Sequence, residues 1–121
     1  MSAVPLPFVS QAEYLERERS APTKSEYFRG EIFMMSGGTS AHSRIAANIT
    51  TSLNVVLSDR PCLVYSSDMR VACPTGLITY PDASALCGDE EFIDDRQETL
   101  LNPQIIFEVL SPSTEGYDRG K

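Results

Sequence analysis

The stretch ITYPDASALCG, residues 78–88, decides how this chain is read. Its second half, ASALCG, is a run of small and apolar residues of the kind that fills a buried strand. Its first half breaks the pattern with Pro81 and Asp82. A proline has no N–H to give to a sheet, so it belongs at the first residue of a strand or at an edge. The aspartate after it then stands at the mouth of a core strand. An ionised carboxylate is costly there unless something compensates it.

Moving toward the C-terminus, the acidic segment GDEEFIDDRQE reads as a solvated loop or a short helix. Beyond it comes QIIFEVL, residues 104–110, an apolar run with a single acid, Glu108. It reads as a core strand. If the two apolar runs are antiparallel neighbours joined through the acidic loop, the start of one lies beside the end of the other. Asp82 and Glu108 then share one end of a sheet. Two carboxylates in that arrangement suit Mg²⁺ or Mn²⁺, which prefer oxygen ligands and keep several waters. The commoner fate of two acids near strand ends is an arginine or a backbone amide, and spacing alone does not choose between them.

Toward the N-terminus the pattern turns helical. Ser40 is an expected N-cap, and Ile45, Ile49, Leu53 and Val56 follow at helical spacing, giving an amphipathic helix over residues 41–57. Before it, KSEYFRGEIFMMSGG holds two short strand-like runs around Arg29-Gly30, a hairpin signal, with Met34 and Met35 expected in the core. Ser10 and Glu13 have capping-box spacing, with Val9 and Tyr14 placed for a hydrophobic staple, so a short helix is expected over residues 11–19. Between the long helix and the opening stretch, CLVYSSDMRVAC reads as one bent strand or two short ones. The order of elements predicts a mixed α/β fold with helices packed on a sheet.

With 121 residues and 41% hydrophobic content, the chain is sized for a single domain with a small core. No apolar run approaches the roughly 20 residues of a membrane span, and the N-terminus lacks the pattern of a signal peptide. Cys62, Cys73 and Cys87 are an odd count with no CxxC spacing, each in a strand-like run. Buried reduced thiols, and a cytoplasmic protein, are the expectation. The formal net charge of −7 works against a simple nucleic-acid binder, which presents a basic face. It leaves metal-dependent phosphoryl chemistry open, because a bound cation can bridge carboxylates to a phosphate.

Pro81-Asp82 followed by Glu108 resembles the PD-(D/E)XK nuclease pattern. The wider text, EYFRGEIFMMSGGTSAHSRIAANI, YSSDMRV, YPDASALCG and FEVLSPSTEGYDRGK, resembles the Uma-two family of restriction-endonuclease-like proteins, from Tyr14 to Lys121. The resemblance implies a restriction-endonuclease-like α/β core with a mixed central sheet flanked by helices. It also implies an endonuclease that hydrolyses phosphodiester bonds of DNA with Mg²⁺ or Mn²⁺ held by Asp82 and Glu108. Two departures stand out. The lysine expected two positions after the glutamate is replaced by Leu110; the resemblance implies a lysine just after Asp118-Arg119-Gly120 instead, either Lys121 or a residue one position beyond it. The family pattern also continues with a further helix and strands, so residues 1–121 are expected to form a single domain that is the N-terminal two-thirds of a larger one.

His42, Glu31 and Asp68 are further candidates to line the site. Set against each is a plain structural role: a packed histidine at a helix start, an acid on the outer face of a hairpin, a partner for Arg70. Arg44 and Arg70 are possible phosphate contacts. Residues 36–39, SGGT, read more readily as a turn than as a phosphate cradle, since the P-loop signature is absent. Two other functions compete with a nuclease. One is a catalytically degenerate binding or assembly module, favoured by the displaced lysine and the acidic charge. The other is a metal-dependent phosphoesterase on small substrates, favoured by the acidic charge. Nucleases that cut duplexes often pair their active sites, so a homo-oligomer is expected.

Overall fold

The computed structural model describes residues 8–110. Ser10 caps the first helix, α1 (Gln11–Ser20), by accepting the backbone N–H of Glu13 through its side chain. Val9 and Tyr14 are both buried in one apolar cluster with Leu15, Tyr27 and Ile78, as the staple requires. Strands β1 (Ser25–Phe28) and β2 (Glu31–Met34) form the expected hairpin. Arg29 and Gly30 both take positive φ, +48° and +94°, which is what a two-residue turn matched to sheet twist demands. Met34 is exposed rather than in the core, because β2 is the outermost strand of its sheet.

The long helix, α2, spans Ser40–Val56 and is capped by Thr39, one residue earlier than expected. None of its residues is fully buried, and Ile45 and Val56 are exposed. The half-buried stripe runs instead through His42, Ala46, Ile49, Thr50 and Leu53. It is turned by about one residue from the stripe that hydrophobicity marks, and it brings the histidine to the packed side.

The remaining strands are β3 (Cys62–Tyr65), β4 (Arg70–Ala72), β5 (Leu77–Thr79), β6 (Ala83–Cys87), β7 (Thr99–Leu100) and β8 (Ile105–Phe107). They complete two sheets. The first has the order β2-β1-β5-β4-β7 and is mixed, since β4 and β7 run parallel while its other pairs are antiparallel. The second has the order β3-β6-β8 and is antiparallel throughout. CLVYSSDMRVAC is thus two strands, one in each sheet. So is ITYPDASALCG: β5 lies in the first sheet, β6 in the second, and the fully buried Pro81 sits at the crossing between them. Leu86 of β6 packs against Val71 and Leu100, joining the two sheets in a second core cluster.

Two expectations are corrected. Cys62 and Cys87 face each other across the β3–β6 pair and form a disulfide, leaving Cys73 as the free thiol. The cysteines are strand neighbours brought together by register, which their separation in sequence hides, and the argument for a reducing compartment falls with them. Among the described residues, QIIFEVL is an edge strand rather than a core strand: Ile105 is 46% and Ile106 42% exposed. Among the described residues, no helix is long and apolar enough to cross a membrane.

Candidate functional site

The antiparallel pairing of β6 with β8 sets Ala83 opposite Phe107, Ser84 opposite Ile106 and Ala85 opposite Ile105. One step past the end of that ladder stand Asp82 and Glu108, at the same end of the sheet. The backbone closes the arrangement, because the N–H of Val109 donates to Asp82 Oδ2 at 2.6 Å. Asp82 thereby fixes the chain just after Glu108. The same oxygen lies 3.3 Å from His42 Nε2, with the two side chains only 14% and 23% exposed.

His42 reaches Asp82 because the packed stripe of α2 begins with it. Gly38 makes room for the ring: a Cβ on Gly38 would stand 2.7 Å from His42 Nδ1. Asp82 and His42 face a cavity of about 640 Å³, also lined by Lys24, Tyr80, Ser66 and Ser67 and by the loop of residues 35–38. That loop carries part of the SGGT turn, so the turn does border the candidate site.

Lys24 and Tyr80 escaped the sequence reading. The Lys24 ammonium donates to the Ser67 carbonyl at 3.0 Å and to Asp68 Oδ1 at 2.9 Å, and it lies 5.2 Å from the centre of the Tyr80 ring. Asp68 therefore meets the cavity through Lys24, not through Arg70. Arg70 is buried: its Nε donates to Thr99 Oγ1 and its Nη1 to the Tyr80 hydroxyl, which in turn donates to Glu18. This guanidinium braces the scaffold and is not presented to a ligand. Burial and the hydrogen bond to Glu18 push the Tyr80 phenol up to about 12, so it stays a neutral donor. The signal for Tyr80 was its place two residues before Asp82. Lys24 had none, because its partners lie more than 40 residues away.

Glu31 is exposed at the start of β2 and does not line the cavity. The hairpin acid that turns inward is Glu26, which accepts the Thr79 hydroxyl. The charge of Glu108 is felt at Cys73, whose thiol is pushed up first by burial and then by that carboxylate. Arg44 is exposed on α2 and does not line the cavity. Lys121 lies outside the described residues. Among the described residues, no three His, Cys, Asp or Glu side chains gather in a cluster fit to hold a metal by themselves.

The class of the fold is mixed α/β, with two carboxylates at one end of a sheet. Residues 11–121 match the Uma2 family, described as "Putative restriction endonuclease", and the chain belongs to that family. Two Synechocystis sp. proteins are similar to it: sll1609, 35% identical over 93% of this chain, and slr1290, 38% identical over 98%. The chain spans 64% and 62% of their lengths, respectively. A crystal structure described as a putative nuclease belonging to DUF820, from Anabaena variabilis ATCC 29413, has the same fold. It matches with a TM-score of 0.68 at 21% identity, over 95% of this chain and 65% of that one.

Proposed function

We propose that this chain carries the active centre of a metal-dependent nuclease, with the cavity beside Asp82 as the place where a phosphodiester is hydrolysed. The observation that carries the reading is the β6–β8 register, which brings Asp82 and Glu108 to one sheet end, with Asp82 on the wall of the cavity. Membership of a family described as restriction endonuclease supports it, as does the nuclease description of the structural neighbour. DNA is the proposed substrate.

Two carboxylates fit Mg²⁺ or Mn²⁺, since these ions take one or two protein carboxylates and complete their shell with water and substrate phosphate. Asp82 and Glu108 would hold the ion, which when bound supplies charge neutralisation and an acidified water. The chain's own part is to fix the carboxylates. The Val109 N–H restrains Asp82 and ties the Glu108 end of β8 to it. His42, placed by the capped start of α2 and the space at Gly38, restrains Asp82 from the other side. Lysine assistance to the reaction falls to Lys121 in this reading.

Cleavage of plasmid DNA in Mg²⁺ or Mn²⁺, with chelator as control, tests the proposal. Asp82→Ala is expected to abolish metal-dependent cleavage while keeping a cooperative urea transition. Cleavage that persists unchanged in the variant excludes this site. Hydrolysis of a small phosphodiester with no DNA cleavage, lost equally in Asp82→Ala, would move the substrate to small molecules, a direction the net charge of −7 favours.

A further inference from the structure

A phosphodiester is an anion, and among the described residues Lys24 on the wall of the Asp82 cavity is placed to meet it. Among the described lining residues, Lys24 is the only lysine or arginine. Its ammonium is fixed from three sides. The Ser67 carbonyl accepts from it, the Tyr80 ring lies beneath it, and Asp68 pairs with it. The Tyr80 anchor is part of the frame, because Tyr80 is buried and hydrogen-bonded to Glu18 and Arg70. The third is loose: the Asp68 side chain is 88% exposed and that of Lys24 42%. An ion pair so open to water contributes little to stability. A phosphate has more oxygens to offer an ammonium than a single aspartate does, and charge-assisted bonds to it are among the strong ones.

We propose that Lys24 is the phosphate-contact residue of this cavity, and that Asp68 occupies its ammonium until a nucleic-acid phosphate displaces it. The pair acts as a low-cost latch. Lys24 stays ordered and aimed in the absence of ligand, and the substrate exchanges one carboxylate for one phosphate. The inference rests on the nuclease reading for its ligand, but it is independent of the metal: Lys24 is reached without Asp82 or Glu108.

The test measures anisotropy of a fluorescent single-stranded oligonucleotide in chelator, with no divalent ion present. Lys24→Met is expected to weaken binding about tenfold, and Lys24→Arg to restore most of it. Asp68→Asn is expected to tighten binding about threefold, and to do nothing in the Lys24→Met background. Equal tightening by Asp68→Asn in both backgrounds would show a general charge effect and overturn the latch, as would wild-type binding indifferent to Lys24→Met. Should Lys24→Met fail to give a cooperative urea transition, Asp68→Asn alone decides, and unchanged or weakened binding overturns the proposal. Wild-type protein that binds no oligonucleotide in chelator overturns it too. The two readings fail separately. Cleavage that needs Asp82 but ignores Lys24 removes this inference and keeps the nuclease. Lys24-dependent binding with no cleavage in any metal does the reverse.

Discussion

In the five-stranded sheet the buried polar groups find one another. Arg70 of β4 donates to Thr99 of β7 and to Tyr80 just beyond β5, Tyr80 donates to Glu18 of α1, and Glu18 also accepts the backbone N–H at the start of β1. The three-stranded sheet is built otherwise. Among the described residues, its strands β3 and β6 are tied by a covalent bridge, Cys62–Cys87, and the buried Ser84 hydroxyl has no hydrogen-bond partner. Its outer strand leaves Ile105 and Ile106 open. Asp82 stands at the passage from the first sheet to the second. The first sheet fixes where the carboxylate begins, through Tyr80 and Pro81. The second brings Glu108 to it. A candidate site at such a junction takes its precision from one side and its completing residue from the other.

The comparison breaks most severely at Arg70. Arg70→Met would strip a buried guanidinium from Thr99 and Tyr80 and leave Glu18 facing the gap, at a loss of about 4 kcal/mol in urea unfolding. A loss below about 1 kcal/mol would mean that the network is not what holds the first sheet. In the second sheet, Cys62→Ser combined with Cys87→Ser opens a bridge between residues 25 apart. Loop-closure entropy sets its expected cost at about 3 kcal/mol, and a reducing agent should bring the wild-type protein to the same unfolding midpoint. If neither treatment moves the midpoint, the β3–β6 pairing is self-sufficient. The smallest effect has the opposite sign. Ser84→Ala removes a buried hydroxyl that has no partner, so stability should rise by about 1 kcal/mol. A fall would show that the hydroxyl is satisfied in solution, and the two sheets would then differ less than their hydrogen bonds indicate.

Much of the local architecture was legible in the residues. Ser10 with Glu13, Arg29-Gly30 and the apolar period after Thr39 announce a cap, a turn and a helix, because those signals act within a few residues. The antiparallel pairing that puts Asp82 and Glu108 at one sheet end was legible too, although the connection runs through β7 of the other sheet, which the acidic segment did not announce. The passage of ITYPDASALCG from one sheet to the other was not. Pro81 marks an interruption, but nothing nearby says which strands lie on either side of it. The disulfide was hidden for the same reason: Cys62 and Cys87 become partners only through the register of β3 on β6.

By itself, then, the sequence determined the two helices, the hairpin, the end of the sheet where the acids gather, and the family, since each depends on near-neighbour sterics, hydrogen-bond spacing or residue order. The tertiary structure alone decided which groups surround Asp82. His42 arrives by the rotation of α2, and Lys24 by contacts with Ser67 and Asp68 across more than 40 residues, while Arg70 is withdrawn into the scaffold. Long-range packing chooses among many sterically allowed neighbours, and no local pattern along the chain records that choice.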